Sequence, residues 1–137
     1  MKNIDNIKFY KKKIIIHNKG NIMHYINRTN KNFIKFGEVY FSWIKKNKVK
    51  GWKFHKKMHM NLTVPVGEIQ FTFFDSNLEK NKIINLGEKK FGTLYVPPRI
   101  WFSFKNLNKN KDSLLVNFSS ILHSKTESLN KKYIEKI

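Results

Sequence analysis

A chain of 137 residues with no cysteine and a formal net charge of +19 has room for one hydrophobic core, and it excludes disulfide frameworks, thiolate nucleophiles and cysteine-ligated zinc. A single domain over residues 1–137 is expected. Such a charge would ordinarily suggest nucleic acid, but Arg28 and Arg99 are the only arginines, the lysines are scattered along the whole sequence, and no nucleic-acid-binding motif is present. No nucleic-acid partner is expected. The opening MKNIDNIKFYKKKIII lacks an apolar stretch with a small-residue cleavage site, and no apolar run approaches the ~20 residues that a bilayer crossing needs. A soluble, cytoplasmic protein without membrane insertion is the expectation.

Apolar alternation and β-branched or aromatic runs predict short strands. In chain order they fall at 7–16, 21–27, 37–45, 58–64, 68–75, 81–86, 92–96, 100–106 and 113–121. Turns are marked by NKGN (18–21), PVGE (65–68), DSNLEKN (75–81) and NLNKNKD (106–112), each rich in Gly, Pro, Asn or Asp. YVPPR ends one strand and starts another, because neither proline can donate to a ladder. The segment KGWKFHKK (50–57) reads as a basic loop leading into a strand, and only the tail after Ser124 has helical character. The expected fold is all-β, a double-stranded β-helix jelly roll with a short C-terminal helical tail.

Such a fold encloses a pocket between its sheets, lined by inward side chains. His55 lies at the edge of that pocket. With an ordinary pKa near ~6.5, an imidazole there suits removal of a proton from a carbon acid, although the spacing fits a ring packed at a strand end equally well. A metal would need converging donors; His55 and His59 are four apart, RIWFSF offers no further His, and neither Glu68 nor Asp75 completes a set, so no metal is expected. No Gly-rich phosphate loop or nucleophile elbow is present, and no cofactor is expected. Aromatics near the pocket mouth, Trp101 and Phe102 among them, are candidates to stack a base or sugar ring. Lys50, Lys53, Lys56 and Lys57 flank His55 and suit neutralisation of a pyrophosphate or of a developing enolate.

VKGWKFHKKMHMNLTVPVGEIQF, with LYVPPRIWFSF and the preceding HNKGNIMHY, resembles the RmlC-like sugar-nucleotide cupins: the dTDP-4-dehydrorhamnose 3,5-epimerase group and the related dTDP-4-keto-6-deoxyhexose 3,4-ketoisomerases. The resemblance covers roughly residues 14–123. It implies a metal-free jelly-roll homodimer that acts on a nucleotide-diphosphate sugar by removing a proton next to the carbonyl. KGWKFHK follows the ketoisomerase pattern R-G-x-H-x-H-K, with His55 and Lys56 on matching positions and Lys53 where the first His belongs. On this basis His55 is the expected base, Lys53 and Asn61 stabilise the enolate, Lys50 and Lys57 bind diphosphate, and His59, Trp101 and Phe102 contact substrate. Ile121 or Leu122 stands where the epimerases carry an opposite-face Tyr, so Tyr40 is the expected second proton donor. The resemblance assigns no carboxylate to orient His55. The implied activity is that of an isomerase in surface-polysaccharide synthesis, most like the 3,5-epimerases; a 3,4-ketoisomerase and a non-catalytic sugar-nucleotide-binding cupin are the alternatives.

Overall fold

The structure, a computed structural model, describes residues 3–132. After a 3₁₀ turn at Asn3–Asn6 the ordered elements are strands: β1 (Lys8–Lys11), β2 (Ile14–Ile15), β3 (Ile22–Met23), β4 (Glu38–Ile44), β5 (Val49–His55), β6 (Met60–Val66), β7 (Glu68–Asp75), β8 (Asn81–Gly87), β9 (Gly92–Val96), β10 (Ile100–Asn106), β11 (Ser113–Ser119) and β12 (Ser128–Asn130). They form two five-stranded antiparallel sheets, ordered β1-β9-β6-β11-β4 and β12-β5-β10-β7-β8, and a separate β2-β3 ribbon. Among the described residues no helix is long and apolar enough to cross a membrane.

The alternation that predicted the strands also decides what the sheets bury. On β6, Met60, Leu62 and Val64 point inward, and on β7 so do Ile69, Phe71 and Phe73; they pack in one cluster with Leu86, Leu94, Val96 and Leu115. Burying each such side chain contributes about 1.5–3 kcal/mol, and this cluster holds the two sheets together. A second cluster, Trp52, Phe54, Phe74 and Trp101, covers the outer face of the other sheet. Lys131 and Arg99 lie over its Trp101 and Phe54 rings, at 5.0 and 5.5 Å.

Each predicted strand overlaps an observed one, with four corrections to the reading. The span predicted as one strand at 7–16 is broken between β1 and β2. PVGE does not stop β6, which runs through Pro65 to Val66; the proline is accommodated by a register shift, since Leu114 faces Val66 but Val116 faces Thr63. An extra residue on one strand is how a ladder tolerates a position without an N–H. The segment read as a basic loop is β5, and the predicted helix after Ser124 is, within the described residues, a turn followed by β12, which pairs with β5 through Ser128–His55, Leu129–Phe54 and Asn130–Lys53. Residues 133–137 of that predicted helix lie outside the described residues. A three-residue strand wins over local helical preference because it completes the edge of β5.

Candidate active site

Alternation along β5 sends Trp52 and Phe54 outward into the aromatic cluster and turns Lys53 and His55 toward the space between the sheets. Across the ladder from Lys53 stands Phe102 of β10. A register shift between Phe102 and Ser103 brings Gly51 opposite Ser103. Only glycine fits there: its φ is +133°, and a Cβ would lie 2.6 Å from the Ser103 Cβ, so this strand cannot approach β10 with a side chain at 51. From the facing sheet, β4 contributes Tyr40 and Ser42, which pair across the ladder with Asn117 and Leu115 of β11. These side chains surround a cavity of about 260 Å³. Met60, Leu62, Phe104 and Leu115 give it an apolar wall continuous with the core, and Lys50, His123 and Asn130 also line it.

His55 is 2% exposed. Its Nδ1 lies 2.6 Å from Oε1 of Glu127, and the other Glu127 oxygen accepts the backbone N–H groups of Lys57 at 2.8 Å and Met58 at 3.0 Å. Burial raises the Glu127 carboxyl, but those two N–H donors and His55 outweigh it and hold the group below the usual carboxylate range. An ionised Glu127 can only accept, so His55 carries its proton on Nδ1 and presents Nε2 as a free acceptor. Burial also pushes the His55 pKa down; the hydrogen bond and charge of Glu127 oppose the shift without cancelling it. The ring stacks on Phe102, with centroids 5.8 Å apart. A neutral, oriented imidazole facing a cavity is the arrangement a general base requires.

Around this base the polar groups form a connected set. Lys53 Nζ lies 3.4 Å from Nε2 of His123, and the His123 ring stands edge-on to His55 and to Tyr40, at 6.4 and 6.2 Å between centroids. The Tyr40 hydroxyl accepts from Asn117 Nδ2 at 2.9 Å. Burial pushes the Tyr40 pKa up, against the smaller opposing effect of Asn117, so the phenol keeps its proton at neutral pH. Lys50 Nζ donates to Ser42 Oγ at 2.9 Å.

The structure brings together five of the residues named from sequence, His55, Lys53, Tyr40, Lys50 and Phe102. Four others stand elsewhere. Asn61 alternates with Met60 and Leu62, so its side chain leaves the cavity; it accepts from Asn32 Nδ2 at 2.6 Å and donates to the Asn32 carbonyl at 2.9 Å. His59 Nδ1 lies 2.7 Å from the Tyr95 hydroxyl, Trp101 belongs to the outer aromatic cluster, and Lys57 reaches the site only through its backbone N–H. The sequence reading missed Glu127, His123 and Asn117. The orienting carboxylate escaped it because Glu127 is 72 positions from His55 in a segment read as helix. Among the described residues no group of three His, Cys, Asp or Glu side chains is placed to hold a metal ion.

A family model described as "FdtA: WxcM-like, C-terminal" matches residues 5–135. No match was found among curated proteins. Among solved structures, a dTDP sugar isomerase from Desulfovibrio desulfuricans is 25% identical, with 99% of this chain and 90% of that one covered and a TM-score of 0.91. The 3,4-ketoisomerase QdtA from Thermoanaerobacterium thermosaccharolyticum, in complex with TDP, is 22% identical over 93% of this chain and 89% of that one, with a TM-score of 0.75. A dTDP-4-dehydrorhamnose 3,5-epimerase from Sulfolobus tokodaii shares the fold at 19% identity, over 93% and 82% of the two chains, with a TM-score of 0.78. With a family match over nearly its whole length and this jelly-roll architecture beneath it, the chain belongs to the FdtA family of WxcM-like C-terminal domains, among the RmlC-like cupins.

Proposed function

We propose that the protein is an isomerase that removes the proton next to the carbonyl of a dTDP-4-keto-6-deoxy sugar, in the synthesis of a surface polysaccharide. The observation that carries this reading is the His55–Glu127 pair on the wall of the inter-sheet cavity. Glu127 holds the tautomer that leaves Nε2 free, and the cavity gives a sugar ring a place beside it. Lys50 and Lys53 bring positive charge to the same wall, which suits a diphosphate and an enolate. Asn117 adds an acceptor for a sugar hydroxyl: it is 2% exposed, and its Oδ1 has no hydrogen-bond partner among the described residues. The similar structures, described as a dTDP sugar isomerase and a TDP complex of a ketoisomerase, support the substrate class. The active form we expect is cytoplasmic, cofactor-independent and homodimeric.

Within this class the 3,5-epimerase reading requires proton transfer on both faces of the ring. The 3,4-ketoisomerase reading has its own support in KGWKFHK and in Ile121 and Leu122, neither of which can donate a side-chain proton. Incubation with dTDP-4-keto-6-deoxyglucose in heavy water separates them. Deuterium at both C3 and C5 with inversion identifies an epimerase, and deuterium without inversion but with carbonyl migration identifies a ketoisomerase. Absence of any exchange, with the nucleotide sugar still bound, would overturn the enzymatic reading in favour of a binding protein.

The homodimer has a surface that fits it. β4 is the last strand of its sheet, and its outward residues Val39, Phe41 and Trp43 are 44, 67 and 53% exposed. An apolar edge strand left open is an aggregation site unless something covers it, and a second copy of the chain is the occupant we propose. Sedimentation of the wild type as a dimer, and of a Phe41→Ser, Trp43→Ser variant as a monomer, is the expected result; a monomeric wild type would remove the proposal.

A further inference from the structure

The two histidines in the cavity have neighbours that set both in the Nδ1–H tautomer but engage opposite edges of the two rings. His55 Nδ1 faces the Glu127 carboxylate, so its proton sits on Nδ1 and Nε2 is an acceptor. His123 Nε2 faces Lys53 Nζ, and an ammonium has only protons to give, so a neutral His123 accepts at Nε2 and carries its proton on Nδ1. The edge left unengaged on His55 is the acceptor Nε2 and that on His123 is the donor Nδ1–H, so one ring is prepared to take a proton and the other to give one. The centroids are 6.4 Å apart, with planes at 81°. Both rings line the same cavity, where a productive approach holds each reacting nitrogen within ~3–3.5 Å of carbon.

The position of His123 is built by the fold. Its backbone N–H donates to Glu38 Oε1 at 2.9 Å. Two residues earlier, the backbone of Ile121 runs so close to Gly37 that a Cβ there would lie 2.4 Å from it. The Gly37 N–H donates to the Ser119 carbonyl at 2.8 Å, and Ser119 Oγ donates to the Ile121 carbonyl at 2.8 Å. Gly37 and Glu38 thus pin the segment after β11 against the head of β4, the strand that also delivers Tyr40. Close approach without a side chain is what glycine permits.

We infer that His123 is the second proton-transfer residue of this site, delivering a proton to the enolate that His55 creates. The inference rests on the isomerase reading. His55 Nε2 takes the proton from the carbon beside the carbonyl, and the electron pair of that C–H bond moves onto the carbonyl oxygen. His123 Nδ1 then gives its proton to the enolate, while Nε2 takes one from Lys53. Solvent reprotonates Lys53 at the mouth, and water entering the cavity after product leaves removes the proton from His55 Nε2, which closes the cycle. The role falls on a residue two positions from Ile121, where an opposite-face donor was sought and not found.

The test uses dTDP-4-keto-6-deoxyglucose in heavy water with the wild type, His123→Gln and His123→Gly. His123→Gln keeps an acceptor for Lys53 but cannot pass a proton on. It is expected to retain deuterium incorporation at the acidic carbon within a few-fold, because His55 still removes and returns a proton. Net product formation is expected to fall by ~10² or more. Because His123 is exposed, imidazole added to His123→Gly should restore product formation in proportion to its concentration, a response that a merely structural residue would not give. Wild-type product formation in His123→Gln, or equal loss of exchange and product without imidazole rescue, would overturn the inference alone. Absence of exchange in the wild type would overturn the isomerase reading beneath it.

Discussion

His55→Asn is expected to lower deuterium incorporation at the substrate's acidic carbon by ~10²–10⁴, with nucleotide-sugar binding changed only a few-fold. The cause is local. His55 presents the cavity's oriented acceptor, and no other group among the described residues combines burial, a carboxylate partner and a free ring nitrogen. Asn is preferred to Ala because its amide can still donate to Glu127, whereas Ala would leave a buried carboxylate oxygen without its closest partner at a cost of roughly 1–3 kcal/mol. Loss of turnover at unchanged binding would mark loss of transition-state stabilisation. Exchange at the wild-type rate in His55→Asn would sink the assignment of His55 as the base.

Glu127→Gln is expected to be nearly as damaging to the reaction, although residue 127 touches no substrate. Its amide oxygen can still accept the N–H groups of Lys57 and Met58, which leaves the NH₂ facing His55 Nδ1. The imidazole would then turn its proton to Nε2, where the acceptor is needed. A wrong tautomer with intact geometry costs ~10⁴ in a serine protease triad, and a loss of ~10²–10⁴ in turnover is the expected range here. Removing the charge also lets burial push the His55 pKa further down, so the acid limb of the pH–rate profile should move to lower pH. An unmoved limb with unchanged turnover would deny Glu127 its orienting role.

The same pair makes stability pH-dependent in one direction. His55 titrates lower in the folded than in the unfolded protein, so its contribution is complete above ~6.5 and is lost as pH falls from there toward its folded pKa. Glu127 is also held low; its contribution is present above ~4.3 and is lost as pH falls through its folded value. Denaturant titrations should therefore show stability falling on acidification from about pH 6.5 downward, with the lower part of that loss absent in Glu127→Gln.

What the sequence determined by itself was the sheet content and most of the strand positions, because period-two alternation in segments such as EIQFTFFD needs no knowledge of neighbours to say which side is buried. It also singled out His55 and Lys53, through a motif that survives in the chain as KGWKFHK. The strand carrying that motif escaped notice for a physical reason. In β5 the inward side chains, Lys53 and His55, are polar, and the outward ones, Trp52 and Phe54, are apolar, covered by aromatics from β7 and β10. β4 is inverted in the same way, with Tyr40 and Ser42 inward and Phe41 and Trp43 outward. A functional cavity reverses the hydrophobic pattern; in β4 the alternation still read as a strand, whereas in β5 Lys50, Lys53, Lys56 and Lys57 made the reversed pattern read as a basic loop. The faces of Asn61 and Trp101 followed from register, which one residue of slip would have exchanged. Tertiary structure alone decided the partners: Glu127 reaches His55 across 72 positions, and His123 reaches Lys53 across 70. They meet because β12 completes the edge of β5 and because Gly37 lets the segment after β11 lie against β4. No local preference in either segment records such a pairing, since it is paid for by the contacts of the assembled sheets.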